Sequence, residues 1–226
     1  MAKERTSNQI FVGYPWKTYR AHWEKILTEV HKWSPLHFVA IGRQAGQPAA
    51  QLLTRILQAI ERSSAAFFDA SAGNPNVALE YGYARAILDE SAIYLFRDEN
   101  ATGATGPGSP IISDLAGAIA TQYALNDSRL KDAIEAIAKT HPYFKRFDRF
   151  CRQRKYKGGT RRLLVRILRQ LDGKVSVLRR ELLDNLIHET KKNEAYLVRH
   201  LKELHKGGLI TISKGNEFSS RVQVSG

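Results

Sequence analysis

The chain is predicted to be an α/β protein, with a mainly parallel sheet covered by helices on both faces and a smaller C-terminal domain of helices and a hairpin. Three observations carry that expectation. Through residue 140, short apolar runs alternate with segments of 3.6-residue apolar spacing, the order of βαβ units. Beyond residue 160 that alternation stops, and three helical patterns lead into two alternating segments. Charge divides the chain in the same way: residues 1–125 hold 11 Lys and Arg against 11 Asp and Glu, and residues 126–226 hold 24 against 11.

The elements follow in order. "QIFVG" (9–13) reads as the first strand. Residues 17–32 form a helix with Tyr19, Trp23, Ile26, Leu27 and Val30 on one stripe. "LHFVAIG" (36–42) is the second strand, and "PAAQLLTRILQAIER" (48–62) a helix opened by proline. "AAFFDA" (65–70) is the third strand; Asn74 then caps a helix over 76–88 with Pro75 at its start. "SAIYLF" (91–96) is the fourth strand, 97–110 a Gly/Thr/Pro loop, 113–117 one helical turn, "AIATQYA" (118–124) the fifth strand and 127–140 a helix. Domains are therefore expected at 1–140 and 160–226, joined by a basic linker, 141–159. In parallel sheets ligands bind beyond the carboxyl ends of the strands, where the strand order reverses.

Composition excludes several classes. A single cysteine, Cys151, rules out an internal disulfide and fits a reducing compartment. No apolar run approaches the ~20 residues of a membrane span, and "MAKERTSNQ" carries no apolar signal region. A cytoplasmic protein without a membrane partner is expected. The seven histidines are scattered, with no two at metal-ligand spacing beside a cysteine, so a zinc site is not expected. No cofactor is expected either. No G-x-S-x-G elbow or G-x-G-x-x-G fingerprint occurs.

The helix over 76–88 poses the sharpest question. It is apolar nearly all round, with Val77, Tyr81, Ala84 and Leu88 on one stripe, yet Glu80 sits in its middle. A carboxylate there must find a partner, be neutralised by a raised pKa, or open into a cleft. Pairing with Arg85 on a wet strip is one reading. Because Glu80 lies one turn inside a helix that starts at the strand-end rim, the other reading is that it looks into the cleft.

"FFDASAGNPNVALEYGYARA" resembles the motif shared by nucleoside 2-deoxyribosyltransferase-like and bacterial TIR-like nucleotide-binding proteins, through Asp69, Asn74, Pro75, Asn76, Val77, Glu80, Gly82 and Ala84. "IFVGYP" is similar to the first-strand loop of that group, and "PIISDLAGAIATQYA" to the late part of the TIR-like branch. The likeness spans about residues 8–138. It implies a flavodoxin-like parallel sheet, a nucleotide-type ligand, and cleavage of an N-glycosidic bond with Glu80 as the key carboxylate. Asp69 would bind a sugar hydroxyl or orient the reacting groups. Gly13, Tyr14, Gly42, Arg43, Ser71, Asn74 and Asn76 would surround the ligand, with Tyr14 stacking on a base. Sites of this kind are often completed by a neighbouring subunit, which makes a homo-oligomer the expectation. The carboxylate-rich end that transferases use for partner-site exchange is absent from this C-terminus, which favours hydrolysis or binding over base exchange.

The densest charge lies in "KRFDRFCRQRKYKGGTRRLLVRILR" (145–169), with 11 basic residues and one acid, the electrostatic footprint of a polyanion partner. Helical patterns at 160–171, 178–187 and 194–205, then a hairpin around Lys214-Gly215-Asn216, resemble a winged helix-turn-helix. That resemblance turns Lys191, Lys192, Asn193, Tyr196, Arg199 and His200 toward nucleic acid and lets Arg221 reach a phosphate from the wing. Winged helices also serve as dimerisation or docking modules. Two functions follow as expectations. One is an N-glycosidase or deoxyribosyltransferase-like enzyme acting on a nucleotide such as NAD, coupled to nucleic-acid binding. The other is a non-catalytic, nucleotide-sensing DNA-binding regulator.

Overall fold

Five strands make the central sheet of the structure, a computed structural model that describes residues 7–42, 48–103, 106–107, 121–171, 177–212 and 217–219. The elements run β1 (Gln9–Gly13), α1 (Trp16–His31), β2 (His37–Val39), α2 (Ala49–Arg62), β3 (Ala65–Asp69), a 3-10 turn (Ser71–Gly73), α3 (Pro75–Ile87) and β4 (Ile93–Asp98). After them come the two-residue strands β5 (Thr102–Gly103) and β6 (Gly106–Pro107), then β7 (Thr121–Tyr123) and α4 (Arg129–Thr140). The expected single turn at 113–117 and the start of the fifth strand lie outside the described residues.

The parallel sheet has the order β2-β1-β3-β4-β7, the arrangement of flavodoxin-like sheets, whose switch point falls between β1 and β3. All five residues of β1 and all five of β3 are buried, as strands covered on both faces must be. Pleating sorts their side chains. Phe11, Ala66, Phe68 and Leu95 join Ile56, Ala59 and Ile60 of α2, and Val77, Tyr81 and Ala84 of α3, in one core. Phe67 and Phe96 belong to the other face, where Trp23 of α1 meets Phe96 edge-on at 5.5 Å between centroids. Each such aromatic contributes roughly 1.5–3 kcal/mol by its removal from water.

The chain divides into two compact units. The first holds residues 9–30 and 38–137; the second holds 138–226 with 6–8 and 31–37. Within the second unit lie α5 (Pro142–Gln153), α6 (Gly158–Gln170), β8 (Val177–Leu178), α7 (Arg179–Thr190), α8 (Glu194–Lys206), β9 (Thr211–Ile212) and β10 (Glu217–Ser219). The three strands form an antiparallel sheet of order β8-β10-β9, with Phe218 opposite both Val177 and Ile212. Leu164, Ile167 and Leu168 of α6, Leu182 and Leu186 of α7, and Leu197, Leu201 and Leu204 of α8 are buried.

Residues 141–159 are not a linker. His141 caps α5, its ring nitrogen accepting from Tyr143 N–H, and Pro142 occupies the first helical position. Tyr143, Phe144, Phe147, Phe150 and Cys151 form a buried stripe, and the Tyr143 hydroxyl donates to the Leu209 carbonyl at 2.7 Å. The basic residues between those aromatics are its wet face, so charge density concealed an amphipathic helix. Among the described residues no helix is long and apolar enough to cross a membrane.

Candidate functional site

The candidate site of the first unit lies at the β1–β3 switch point. Asn74 starts α3: its side-chain oxygen accepts from Asn76 N–H at 2.9 Å and Val77 N–H at 3.4 Å, and Pro75 follows at the first position, where no N–H is needed. The helix then lays Val77, Tyr81 and Ala84 on the sheet, and this packing carries Glu80 against the end of β1. Glu80 is 9% exposed. No described residue donates a hydrogen bond to its carboxyl group or forms an ion pair with it. Arg85, the neighbour that could have paired with it, instead meets Glu90 at 3.0 Å and donates to the Tyr81 hydroxyl at 3.1 Å. Burial without compensation pushes the Glu80 carboxyl up to about 8.

Gly13 makes this placement possible. A Cβ there would stand 2.5 Å from Glu80 Oε2 and 2.9 Å from the Phe68 ring. Gly13→Ala should therefore displace the carboxyl group and strain the Phe68 core, costing about 1–3 kcal/mol. A urea titration checks this: an unchanged midpoint would mean the strand end relaxes freely.

Asp69 is placed differently from Glu80. It ends β3 on the face opposite Phe68, fully buried, and is enclosed by the protein's own donors. The Trp23 indole N–H donates to Oδ2 at 2.7 Å, the Tyr123 hydroxyl donates to the same oxygen at 2.6 Å, and Ser71 N–H donates to Oδ1 at 3.0 Å. Desolvation raises its pKa, and these hydrogen bonds oppose the rise. Of the two expected roles of Asp69, binding a sugar hydroxyl or orienting the reacting groups, the arrangement of its partners corrects the first. The two-residue period of the strand turns it to the other face of the sheet, and its acceptor capacity is spent on Trp23, Tyr123 and Ser71. Asp69 acts as a buried fastener for the strand-end rim.

The same network absorbs Ser71, whose hydroxyl accepts from Asp98 N–H at 2.7 Å, and the Tyr19 hydroxyl donates to Asp98 Oδ2 at 3.1 Å. Ser71 is buried and holds β3 to β4 from the protein side. Tyr14 is also corrected as a base-stacking surface. Its ring already stacks on Trp16 at 5.5 Å and Trp23 at 5.7 Å, and burial pushes its hydroxyl up to about 12. Gly42 gives room to that aromatic stack, because a Cβ there would meet the Trp16 ring at 2.5 Å. Asn76 is exposed at the start of α3, and Asn74 is committed to its cap. Arg43 lies outside the described residues. The structure thus brings Glu80 and Gly13 together at the switch point, with the start of α3 nearby. Trp23, Tyr123, Asp98 and Tyr19 were missed as members of the rim network. Trp23 and Tyr19 read only as apolar stripe residues, and no spacing in the sequence pairs them with Asp69 or Asp98.

In the second unit, α7 ends on Lys191 in the left-handed conformation (φ 55°), and the Asn193 side chain caps α8 by accepting from Tyr196 N–H at 2.9 Å. Lys191, Lys192, Asn193 and Arg199 are exposed. A surface hollow of about 570 Å³ is lined by Asp184, Ile187, His188, Lys191, Lys192 and Asn193. Tyr196 is half-buried, with the Lys192 ammonium 5.8 Å from its ring centre. His200 does not face outward, which corrects its expected place among the residues turned toward nucleic acid. It is 4% exposed, its Nδ1 lies 3.0 Å from Glu203 Oε2, and the Tyr156 hydroxyl donates to that same oxygen at 2.5 Å. Its helical position, one turn from Leu197 and Leu204, puts it on the apolar side of α8. Arg221 lies outside the described residues. Among the described residues no group of three His, Cys, Asp or Glu is arranged to hold a metal ion. No protein-family model and no curated protein matches the chain.

Proposed function

We propose that the first unit binds a nucleotide at the β1–β3 switch point and cleaves its N-glycosidic bond, with Glu80 as the reacting carboxyl group. One observation carries this reading: a buried acid, held against Gly13 at the carboxyl end of β1 in a parallel sheet, with no cation among the described residues to neutralise it. Structural carboxylates in such surroundings acquire donors, as Asp69 does; one left without them favours a charge that arrives with the substrate.

The chemistry follows. As the C1′–N bond breaks, the base leaves with the bonding electrons and positive character develops at C1′. Ionised Glu80 stabilises that centre or bonds to it, and water then adds to C1′ and releases a proton, giving the free base and the sugar hydroxyl. Unliganded, Glu80 is mostly neutral at pH 7, because the desolvation that raises its pKa disfavours its charged form. A cationic base, such as the nicotinamide ring of NAD, would restore the ionised form on binding. The test is incubation with a panel of nucleotides including NAD and chromatographic detection of freed base, with and without DNA. Glu80→Gln should retain ligand binding and lose base release, and undiminished turnover would refute the assignment.

The second unit supports a nucleic-acid-binding role. From α6 onward its order of helix, strand, two helices and two strands, with the β8-β10-β9 sheet, fits a winged helix-turn-helix. Should base release be absent throughout the panel while nucleotides still bind, the α/β unit is a sensor and the chain a regulator. A homo-oligomer remains part of the proposal, to be read from the mass of the protein in solution.

A further inference from the structure

The positive charge of the second unit is not concentrated where a helix-turn-helix would use it. Residues 179–206, which contain α7 and α8, hold seven Lys and Arg against five Asp and Glu, whereas residues 142–170 hold eleven against one. That lone acid, Asp148, is consumed within the fold by Arg152 and by Arg161, the latter at 2.7 Å. Its ion pair with Arg161 joins α5 to α6, and the Arg161 guanidinium also lies over the Phe144 and Phe147 rings at 5.9 and 5.3 Å.

What remains on the surface is ordered. Arg162, Arg166 and Arg169 of α6 are exposed at i, i+4 and i+7, with Leu163, Leu164, Ile167 and Leu168 buried between them. Lys145, Arg149 and Arg152 of α5 repeat the same spacing, also exposed. Arg162, Arg166, Arg169, Lys145 and Arg149 form no ion pair with any described residue. At 1.5 Å per residue each row spans about 10.5 Å, comparable with the axial rise of about three base pairs, ~3.4 Å each, in a duplex. The aromatics of α5, Tyr143, Phe144, Phe147 and Phe150, are all buried, so these rows carry no stacking platform of the kind that single strands require. Among neutral polar side chains α5 and α6 expose only Gln153 to meet a 2′-hydroxyl.

We propose that the basic rows of α5 and α6, rather than the exposed residues of α8, form the main seat for the phosphate backbone of double-stranded DNA, bound without regard to sequence. This rests on the reading that the second unit binds nucleic acid, and it names the face and the partner. The hollow beside the α7–α8 turn is the weaker candidate, because an acid, Asp184, lines it together with the two lysines.

The test uses the full chain and fluorescence anisotropy with a duplex of random sequence, from 50 to 300 mM salt. Arg162→Gln/Arg166→Gln/Arg169→Gln should bind at least about tenfold more weakly and flatten the log Kd against log salt slope by about 2 to 3. The matching Arg→Lys triple variant should bind like the parent, since a backbone contact needs only the charge. Lys191→Ala/Lys192→Ala/Arg199→Ala should stay within about threefold of the parent. If the α8 variant loses binding and the α6 variant keeps it, the placement is wrong while nucleic-acid binding stands. Tighter binding to single-stranded DNA or duplex RNA of equal length overturns the partner. A parent protein that fails to bind duplex DNA even at 50 mM salt overturns both placement and partner.

Discussion

Glu80→Gln is expected to stabilise the protein in alkaline buffer and to leave its stability unchanged near pH 5. In the unfolded chain this carboxyl titrates near its ordinary value of 4.5, and in the fold burial lifts it to about 8. Between those values the folded state holds a proton that the unfolded state has released. Stability therefore falls as pH rises across that window, and the full penalty is present above pH 8. Each pH unit of difference corresponds to about 1.36 kcal/mol, so the penalty approaches roughly 3–5 kcal/mol. Glutamine reproduces the neutral form and escapes it. Thermal unfolding of parent and variant at pH 5, 7 and 8.5 should give a difference that grows with pH to roughly 10 °C. A variant less stable than its parent at pH 8.5 would show that Glu80 has a stabilising partner in the folded protein, and the case for a reacting carboxyl would fall with it.

The second large effect comes from the same amide replacement at the other buried acid, with the opposite sign. Asp69→Asn keeps the side chain's shape but exchanges one acceptor oxygen for an amino group. Trp23 Nε1–H and Ser71 N–H can only donate, and they approach different oxygens of Asp69. Whichever way the amide turns, one of them meets another donor inside a fully buried site. The expected loss is about 2–4 kcal/mol, and Asp69→Ala, which strands all three donors, should lose more. Denaturant midpoints decide the matter. Equal stability of Asp69→Asn and parent would mean that this cluster is not what fastens the ends of β3 and β7. The two swaps together separate a carboxyl kept at a cost to stability from one that supplies stability.

Legibility varied along the chain for definite reasons. Sheet and helices of the first unit could be read because β1, β3 and β4 are built around short apolar runs and the helices carry stripes at helical spacing. β4 began later than its apolar residues suggested, at Ile93, because Glu90–Ala92 form a short turn capped by Asp89. α5 was hidden by arginines and lysines interleaved with its aromatics. Glu80 stood out locally, as an acid in an apolar helix. Asp69 stood out equally, yet its partners come from α1 and β7, 46 and 54 residues away, and no local pattern announces them.

Local chemistry in the sequence determined where helices start, which stripes they bury and where the positive charge collects, since each depends on neighbours a few residues apart. Only the tertiary structure decided which face of the sheet each buried acid occupies and whether donors surround it. Strand pleating fixes the first, and the convergence of distant elements fixes the second. Two carboxyl groups that look alike in one motif were thereby given different environments, one enclosed by donors and one buried with no donor among the described residues.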